Sequence, residues 1–593
     1  GSPSVSAVLT AQEPSAKYLV NLQPPLVRHF DLIAQAPGGV ARLRELILTL
    51  AVQGKLVPQD PSDEPASELL KKIRTEKDRL IAEGKIKRDK PLAEIADEEK
   101  PFELPQGWEW VRLGTLLDRI SNGYSGGQSK SLTNFPLTRI ETISKSTVDF
   151  SRVGYCTDIQ EPDIQKYKLE VGDILLSHIN SDLHLGKTAL YKEDRLLIHG
   201  TNLLLLRSSA HVDSGFINLL INQLRLTGFF LTIAQHAIGQ ASINQSKITS
   251  ILGALPPLAE QSRIVTRVEE LMQLCDALEA SGQLESQQHV QLVNTLLGTL
   301  TQSETPEELA DSWQRIATHF DVLLDRPEAV DALEQTILQL AVRGLLVPQD
   351  PTDEPASVLL QKIRTEKDHL IAQGKIKRDK PLPPITDEEK PFELPKGWEW
   401  VRMGSVVNAS EAGWSPTCIG SPRTAGKWGV LKVSAVSWGE FDAMANKELP
   451  VDLVPRPEYE VMDGDFLLSR ANTAELVARS VVVKKAEPRL MLSDKIIRLD
   501  VSRQMSRDFL NLCNNAEHAR THYATNASGT SSSMKNVSRE VVLATPIPIP
   551  PMTEQFRIVG RVNELRSLCT DFRQRLTAGQ AVQAHLADAL VSA

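Results

Sequence analysis

Two short clusters of polar side chains carry most of the chemical potential of this 593-residue chain. Ser177, His178, Asn180, Ser181 and Lys187 follow the apolar run Ile174-Leu175-Leu176, and Ser469, Arg470, Asn472 and Thr473 follow the matching run Phe466-Leu467-Leu468. A second polar loop precedes each of two Pro-Pro pairs: Gln240, Asn244, Gln245 and Lys247 in one half, Thr530, Ser532, Lys535 and Asn536 in the other. Asn and Gln can pair bidentately with adenine and Arg with guanine, each pair worth about 1–3 kcal/mol of discrimination between bases. An ordinary polar loop holds the same residue types, so no single position is informative. Recurrence at equivalent places in both halves is, and it makes these residues candidates for reading base edges.

Catalytic patterns are missing. The four Pro-Pro sites read QPPL, LPPL, LPPI and IPPM, and none is the Asp/Asn/Ser-Pro-Pro-Tyr/Phe grip with which an amino-methyltransferase holds a flipped base. Gly186-Lys187-Thr188 could end a phosphate-binding loop, but Ser181 stands where the first glycine is required, so the cradle of backbone amides is absent. The histidines show no metal-ligand spacing, and no Ser, Cys or paired-carboxylate arrangement reads as catalytic. The expectation is a binder with no catalytic residue, no metal and no cofactor of its own.

The elements that must position the clusters come in two copies. Gly54 to Gly114 recurs as Gly344 to Gly404, with 50 of 61 positions identical at an offset of 290. Upstream, His29-Phe30-Asp31 recurs as His319-Phe320-Asp321. Val40, Leu43, Ile47 and Leu50 recur as Val330, Leu333, Ile337 and Leu340, whose 3-4-3 spacing makes one apolar helix stripe. Pro327 and Gly344 mark the first turn and the C-cap of the second copy. Downstream, the segment Pro256 to Val265 (PPLAEQSRIV) matches Pro550 to Val559 (PPMTEQFRIV), now at offset 294. Each Pro-Pro blocks helix continuation and is followed by a Glu in the first helical turn, where the helix dipole favours it.

Ile264, Val268, Leu271, Cys275 and Leu278, and likewise Ile558, Val562, Leu565, Cys569, Phe572 and Leu576, are heptad stripes expected to pack as a coiled coil. A helix over 260–303 would be about 66 Å long, at about 1.5 Å per residue. Thr305-Pro306-Glu307-Glu308 is a capping-box restart. Glu64 to Arg88 reads as a charged helix, its polar face either solvated or turned to a partner subunit. Trp108 and Trp110, with their copies Trp398 and Trp400, read as core packing at the start of a strand.

Between the repeated flanks lie two divergent domains with a common frame. The segment Gly172 to Asn180 aligns with Gly464 to Asn472, Phe216-Ile217-Asn218-Leu219 with Phe509-Leu510-Asn511-Leu512, and Gly239-Gln240-Ala241-Ser242 with Gly529-Thr530-Ser531-Ser532. The fold class expected is α+β: two mixed α/β recognition domains alternating with long helices that form an antiparallel coiled-coil spacer, with a pseudo-two-fold internal repeat. The boundaries read as a flexible tail 1–25, a helical region 26–107, a first domain 108–255, a central helical region 256–397, a second domain 398–549 and a C-terminal helix 550–593.

A hydrophobic content of 41% fits folded domains. The formal net charge of −9 opposes nucleic-acid binding at first sight. Its distribution does not: 115–250 and 405–545 each carry +1, which leaves −11 on the remainder, so a basic face on each domain is compatible with the composition. Five cysteines, an odd count without a C-x-x-C pair, argue for a reducing cytoplasm and against a disulfide framework or zinc site. No membrane span or signal-peptide pattern is found.

With these residues in place the chain resembles the DNA-specificity (S) subunits of type I restriction–modification enzymes. The resemblance rests on the two Pro-Pro-x-x-Glu-Gln-x-Arg-Ile-Val segments before long helices, the repeated Leu-Val-Pro-Gln-Asp-Pro-x-Asp-Glu-Pro-Ala, and the Gly-Asp-x-Leu-Leu-Ser-x-x-Asn strands. It covers nearly the whole chain after about residue 25. It implies that each divergent domain reads one half of a split, asymmetric site in double-stranded DNA, and that the long helices hold the domains apart and dock two modification (methyltransferase) subunits. A restriction subunit, translocase and nuclease, would join that core in a bacterial or archaeal cytoplasm. S-adenosylmethionine, ATP and Mg would sit on those partners. Two alternatives stand beside it: a specificity chain of a related system of another type, and a coiled-coil scaffold whose domains bind proteins.

Overall fold

Six helices come from the repeated flanks: α1 (Gly39–Val52), α2 (Ala66–Ala82), α3 (Leu258–Gln302), α4 (Pro327–Arg343), α5 (Ala356–Ala372) and α6 (Met552–Ser592). The computed structural model describes residues 33–592 apart from 89–90, 238–239, 304, 379, 438 and 530–533. The expected tail 1–25, the His29-Phe30-Asp31 segment, Gly239 and the candidates Thr530 and Ser532 lie outside the described residues.

The chain divides into one unit of 1–285 with 580–593 and a second of 286–579. In the first, Leu43, Ile47, Leu48 and Ala51 of α1 share a core with Ile264, Val268, Leu271 and Cys275 of α3 and with Ala587 of α6. Arg42 adds an ion pair to Asp588. In the second, Val330, Leu333, Ile337 and Ala341 of α4 share a core with Ile558, Val562 and Cys569 of α6 and with Val293, Leu297 and Leu300 of α3. The heptad stripes are therefore seams between helices of one chain, each fully buried aliphatic residue contributing about 1.5–3 kcal/mol. The end signals act as their chemistry dictates. Pro327 opens α4, Gly344 closes it at φ 74°, and Thr305 accepts from the Glu308 amide at 3.2 Å to start the helix Pro306–Thr318.

The Pro-Pro-x-x-Glu-Gln-x-Arg motif is a latch, built twice. Glu260 in the first turn of α3 is buried and accepts the Trp108 indole N–H at 3.0 Å and the Gln59 amide at 3.2 Å. Gln261 donates to the Pro256 carbonyl at 2.9 Å and accepts from the Asp213 amide at 2.9 Å, and Arg263 pairs with Asp63 at 2.6 Å. In the second unit Glu554 accepts from Trp398 at 3.0 Å, Gln555 bridges Pro550 and Ser506, and Arg557 pairs with Asp353 at 2.6 Å. Gly54 turns beneath Trp108 at φ 70°, where an added Cβ would stand 2.5 Å from Pro105. Only glycine closes that turn. Both Trp-x-Trp strands are thus structural, as their sequence context implies.

In the first domain β1 (Glu109–Arg112) is the entrance strand and pairs antiparallel with the exit strand, Leu252–Leu255. Between them come β2 (Leu117–Asn122), β3 (Ile174–Leu176), β4 (Ile179–Asn180), β5 (Thr188–Leu190), β6 (Leu204–Ser208), β7 (Gln235–Ala237) and β8 (Gln240–Ser242), the exit strand being β9. A four-stranded sheet runs β2-β6-β3-β5 and a three-stranded sheet β7-β8-β4. The second domain has β10 (Glu399–Arg402), β11 (Val407–Ala412), β12 (Phe466–Ser469), β13 (Ala471–Asn472), β14 (Ser480–Val482), β15 (Ile496–Val501), β16 (Lys535–Asn536) and β17 (Pro546–Ile549). The pairing of its entrance strand and the order of its four-stranded sheet are the same: β10 pairs with β17 and the sheet runs β11-β15-β12-β14, while β13 and β16 form a two-stranded ribbon in place of the three-stranded one. The Gly-Asp turn before β3 and β12 is held by its carboxylate. Asp173 accepts the Glu170 amide at 2.7 Å and pairs with Arg207, and Asp465 accepts the Met462 amide at 3.0 Å and pairs with Arg498. A further three-stranded sheet differs between the domains, all antiparallel in the first and with one parallel pair, Gly429–Leu431 beside Leu490–Met491, in the second.

Replacing Glu260 by Ala leaves a buried indole N–H without its acceptor, and a loss of about 1–3 kcal/mol is expected from chemical denaturation. Burial, opposed by the Trp hydrogen bond, lifts the Glu260 and Glu554 carboxyls above the ordinary value of 4.5. The folded chain then holds these protons more tightly than the unfolded one. Their favourable contribution is full below 4.5 and is lost as pH rises through the higher folded values. Glu260→Gln is expected to flatten that part of the profile of unfolding midpoint against pH.

Candidate nucleic-acid interface

The two polar clusters, about sixty residues apart in each half, meet on one β-ribbon. In the first domain Ala241 stands opposite Asn180 and Ser242 opposite Ile179. In the second, Lys535 stands opposite Asn472 and Asn536 opposite Ala471. The frame around the ribbon is equally shared. The Ile243 amide donates to the His178 carbonyl at 2.8 Å and the Val537 amide to the Arg470 carbonyl at 3.0 Å. The Ser177 amide donates to Lys187 at 2.8 Å and the Ser469 amide to Arg479 at 2.9 Å.

This register corrects one alignment made from the sequence. The partner of Ala241-Ser242 is Lys535-Asn536, at offset 294, and not Ser531-Ser532. The offset had already grown to 293 at Phe216 and Phe509, a signal that an alignment held at 290 ignored.

The candidate residues separate into builders and surface. Ser177 and Ser469 are buried, the Ser177 hydroxyl accepting from the Asn180 amide at 3.0 Å and the Ser469 hydroxyl donating to the Leu476 carbonyl at 2.7 Å. Neither offers a base anything. His178 is buried too, and desolvation pushes its imidazole toward the neutral form. Asn180 and Asn472 are committed: their side-chain oxygens accept the next backbone amide at 2.9 Å, and their amide groups donate to Ser177 and Ser437. Asn244 is the N-cap of the one-turn helix Gln245–Thr249, accepting from the Lys247 amide at 2.9 Å. Ser538 caps the equivalent turn.

The Lys187 ammonium donates to the Ser144 carbonyl at 2.9 Å, and burial, then the nearby Arg225, lowers its pKa. Lys247 donates to Ile233 at 2.6 Å and Lys535 to Gly529 at 2.6 Å. Gln240 and Arg470 are exposed, and Lys535 and Asn536 are half-buried. Of the seam residues, Ile264, Val268, Leu271, Cys275, Ile558, Val562 and Cys569 are buried and Leu565 half-buried within the chain, so their faces are occupied by its own helices rather than by another subunit.

Sequence reasoning singled out Asn536 but passed over Ser242 as its counterpart on the ribbon, Ser437 as the anchor of Asn472, and Arg479 as the counterpart of Lys187. Among the described residues no helix is long and apolar enough to cross a membrane.

No family model matches the chain. It is 41% identical over 560 residues to the type I restriction enzyme EcoEI specificity subunit of Escherichia coli, with 94% of each chain covered. It is 37% identical over 580 residues to the EcoAI specificity subunit of Escherichia coli, again with 94% of each covered. The chain belongs to the specificity subunits of type I restriction enzymes. The resemblance drawn from its motifs is confirmed, and with it the α+β class and the role of recognition component rather than catalyst. The scaffold and other-system alternatives give way to it. Among solved structures, the HsdS subunit from Thermoanaerobacter tengcongensis covers 83% of this chain and 97% of its own at 16% identity and a TM-score of 0.36.

For this specificity subunit, Asn244→Ala is expected to lower stability by about 0.5–2 kcal/mol through loss of the cap while the DNA sequence selected stays the same, read by thermal unfolding alongside methylation mapping.

Proposed function

We propose that each domain reads one part of a split, asymmetric duplex site with the exposed edge of its ribbon, and that the chain delivers this choice to two modification subunits and a restriction subunit. One observation carries the proposal. The ribbons agree in backbone register, while the facing side chains change from Ala241 and Ser242 to Lys535 and Asn536, and from His178 to Arg470. A common backbone with altered donors and acceptors suits two readers of different sequences. Gln240, Arg470, Lys535 and Asn536 are its foremost candidates for base or phosphate contact. Asn180, Asn472, Ser177 and Ser469 hold the ribbon in shape, and Thr530 and Ser532 remain candidates on sequence alone.

Support for two copies of one partner comes from the surface. α2 and α5 bury Ala66, Leu69 and Ile73, or Ala356, Leu359 and Ile363, and expose the same Lys72, Arg74, Thr75 and Asp78, repeated as Lys362, Arg364, Thr365 and Asp368. The same exposed residues on two helices suit a surface that meets two copies of one molecule. S-adenosylmethionine, ATP and Mg belong to the partner subunits, and the assembly works in the cytoplasm.

Exchange of residues 108–255 for the corresponding domain of another family member is expected to change one half of the methylated site and leave the other intact. Methylation mapping checks this, and a change in both halves or in neither overturns the reading. Arg470→Ala is expected to remove about 1–3 kcal/mol of discrimination at one base of the second half-site with little loss of non-specific affinity. A uniform loss across sequences in a binding assay would make Arg470 a phosphate contact instead.

A further inference from the structure

The seam between short and long helix carries the same ion-pair constellation in both units, with its polarity reversed. In the first unit the Arg44 guanidinium of α1 lies 2.6 Å from Asp276 and 2.8 Å from Glu279 of α3. In the second the guanidinium belongs to the long helix: Arg573 of α6 lies 2.8 Å from Asp331 and 2.9 Å from Glu334 of α4. The repeat offsets of 290 and 294 place Arg44 on Glu334 and Glu279 on Arg573. Even the acidic tetrapeptide is the same, Asp-Ala-Leu-Glu at 276–279 on the long helix and at 331–334 on the short one.

Several apolar positions of the seam do not distinguish the halves. Leu43 and Ile47 correspond to Leu333 and Ile337, and Val268 and Cys275 to Val562 and Cys569. At these positions a short helix would fit either long helix, while α4 also packs on Val293, Leu297 and Leu300 of α3 and α1 on Ala587 of α6. Charge separates the two outcomes. With partners exchanged, Arg44 would face Arg573 with no carboxylate between them, and Asp331 and Glu334 would face Asp276 and Glu279. Arg566, which lies close enough to Glu334 to feel its charge and replaces Met272 of the first half, adds to the same bias. These side chains are partly exposed, so the pairs add little to stability. Discrimination is a difference between right and wrong partners, and like-charge juxtaposition supplies it where attraction alone does not.

We propose that the inverted pair is a pairing key. It seats each short helix on the long helix of its own half and rejects the other half's seat, whether that seat belongs to the same chain or to a second copy of it, so that wrong-half exchange of helices is suppressed during folding. The proposal rests on the seam geometry alone and is independent of what the domains read.

The test co-refolds two differently tagged full-length chains and measures the fraction of the second tag retained with the first. Ala41→Asp and Arg44→Glu combined with Asp276→Thr and Glu279→Arg copy the second half's residues onto the first. Correct pairing is then restored in both halves with one polarity. This variant is expected to unfold at a midpoint close to wild type yet retain several times more of the second tag. Asp331→Ala and Glu334→Arg with Thr570→Asp and Arg573→Glu, converting the second half to the first half's residues and polarity, are expected to do the same. Wild type refolded in about 1 M salt, where the screening length falls to about 3 Å, is expected to exchange more than in about 0.1 M salt. Wild-type levels of exchange in a folded variant of either kind, or no salt dependence in the wild type, would overturn the key.

Discussion

A buried carboxylate on the first turn of each long helix organises the chain around it. Glu260 joins the indole of Trp108 and the amide of Gln59, and through its neighbours Gln261 and Arg263 it brings in Asp213 and Asp63. Four segments remote in sequence therefore meet at one helix N-terminus. The location suits the group, because the unpaired amides of a first turn favour negative charge while two donors satisfy what burial would otherwise leave bare. Burial still weakens the ionised form, which is why the carboxyl sits above its ordinary range. In the second unit Glu554 performs the same office with Trp398. What the latch secures is orientation: strand β1 or β10, the domain beyond it and the start of the long helix are held as one piece within their unit.

The latch explains why so much of the framework was legible. Residues that serve it recur in fixed order, Gln-Asp-Pro-x-Asp-Glu-Pro, Trp-x-Trp, Pro-Pro-x-x-Glu-Gln-x-Arg, and the helix ends carry Pro, Thr or Gly caps whose preference is local. The ribbon was legible only in part. Its two segments stood out as polar, but polarity does not say which way a side chain turns. Asn244 has the composition of a reader and the job of a cap. Lys187 is anchored by Ser144, 43 residues earlier, and Asn472 by Ser437, 35 residues earlier. Those anchors lie on loops whose approach to the ribbon no local pattern announces. Burial of Ser177, His178 and Ser469 follows from their place at the end of an inner strand of the four-stranded sheet, another tertiary fact.

Comparing the halves of one chain separates what builds a domain from what individualises it. Thr188 donates to Asn218 at 2.7 Å and Ser480 to Asn511 at 2.7 Å, tying the sheet to the helix behind it by the same bond in both domains. Ser177 and Ser469, Asn180 and Asn472, and the two Gly-Asp turns belong to the same shared set. Change falls on side chains that leave these bonds intact, on the lengths of the helices behind the sheet and on the smaller sheet whose strand order differs. A fold arranged in this way can alter what its surface offers without repaying the cost of a new core, since substitutions away from buried bonds rarely exceed about 0.5 kcal/mol.

Charge follows the same division of labour. The domains are close to neutral and the framework is acidic, so long-range attraction to a polyanion is not supplied by the chain as a whole. On the proposed reading, affinity that grows with phosphate neutralisation would come from local basic side chains and from the partner subunits, whereas selectivity would reside in a handful of groups on each ribbon. Separating the two has a physical advantage. A recognition chain that clung to any duplex would bury its own discrimination beneath non-specific binding, because each phosphate contact strengthens right and wrong sites alike. An acidic frame suppresses that background, and the few kilocalories carried by base contacts then decide where the assembly stops.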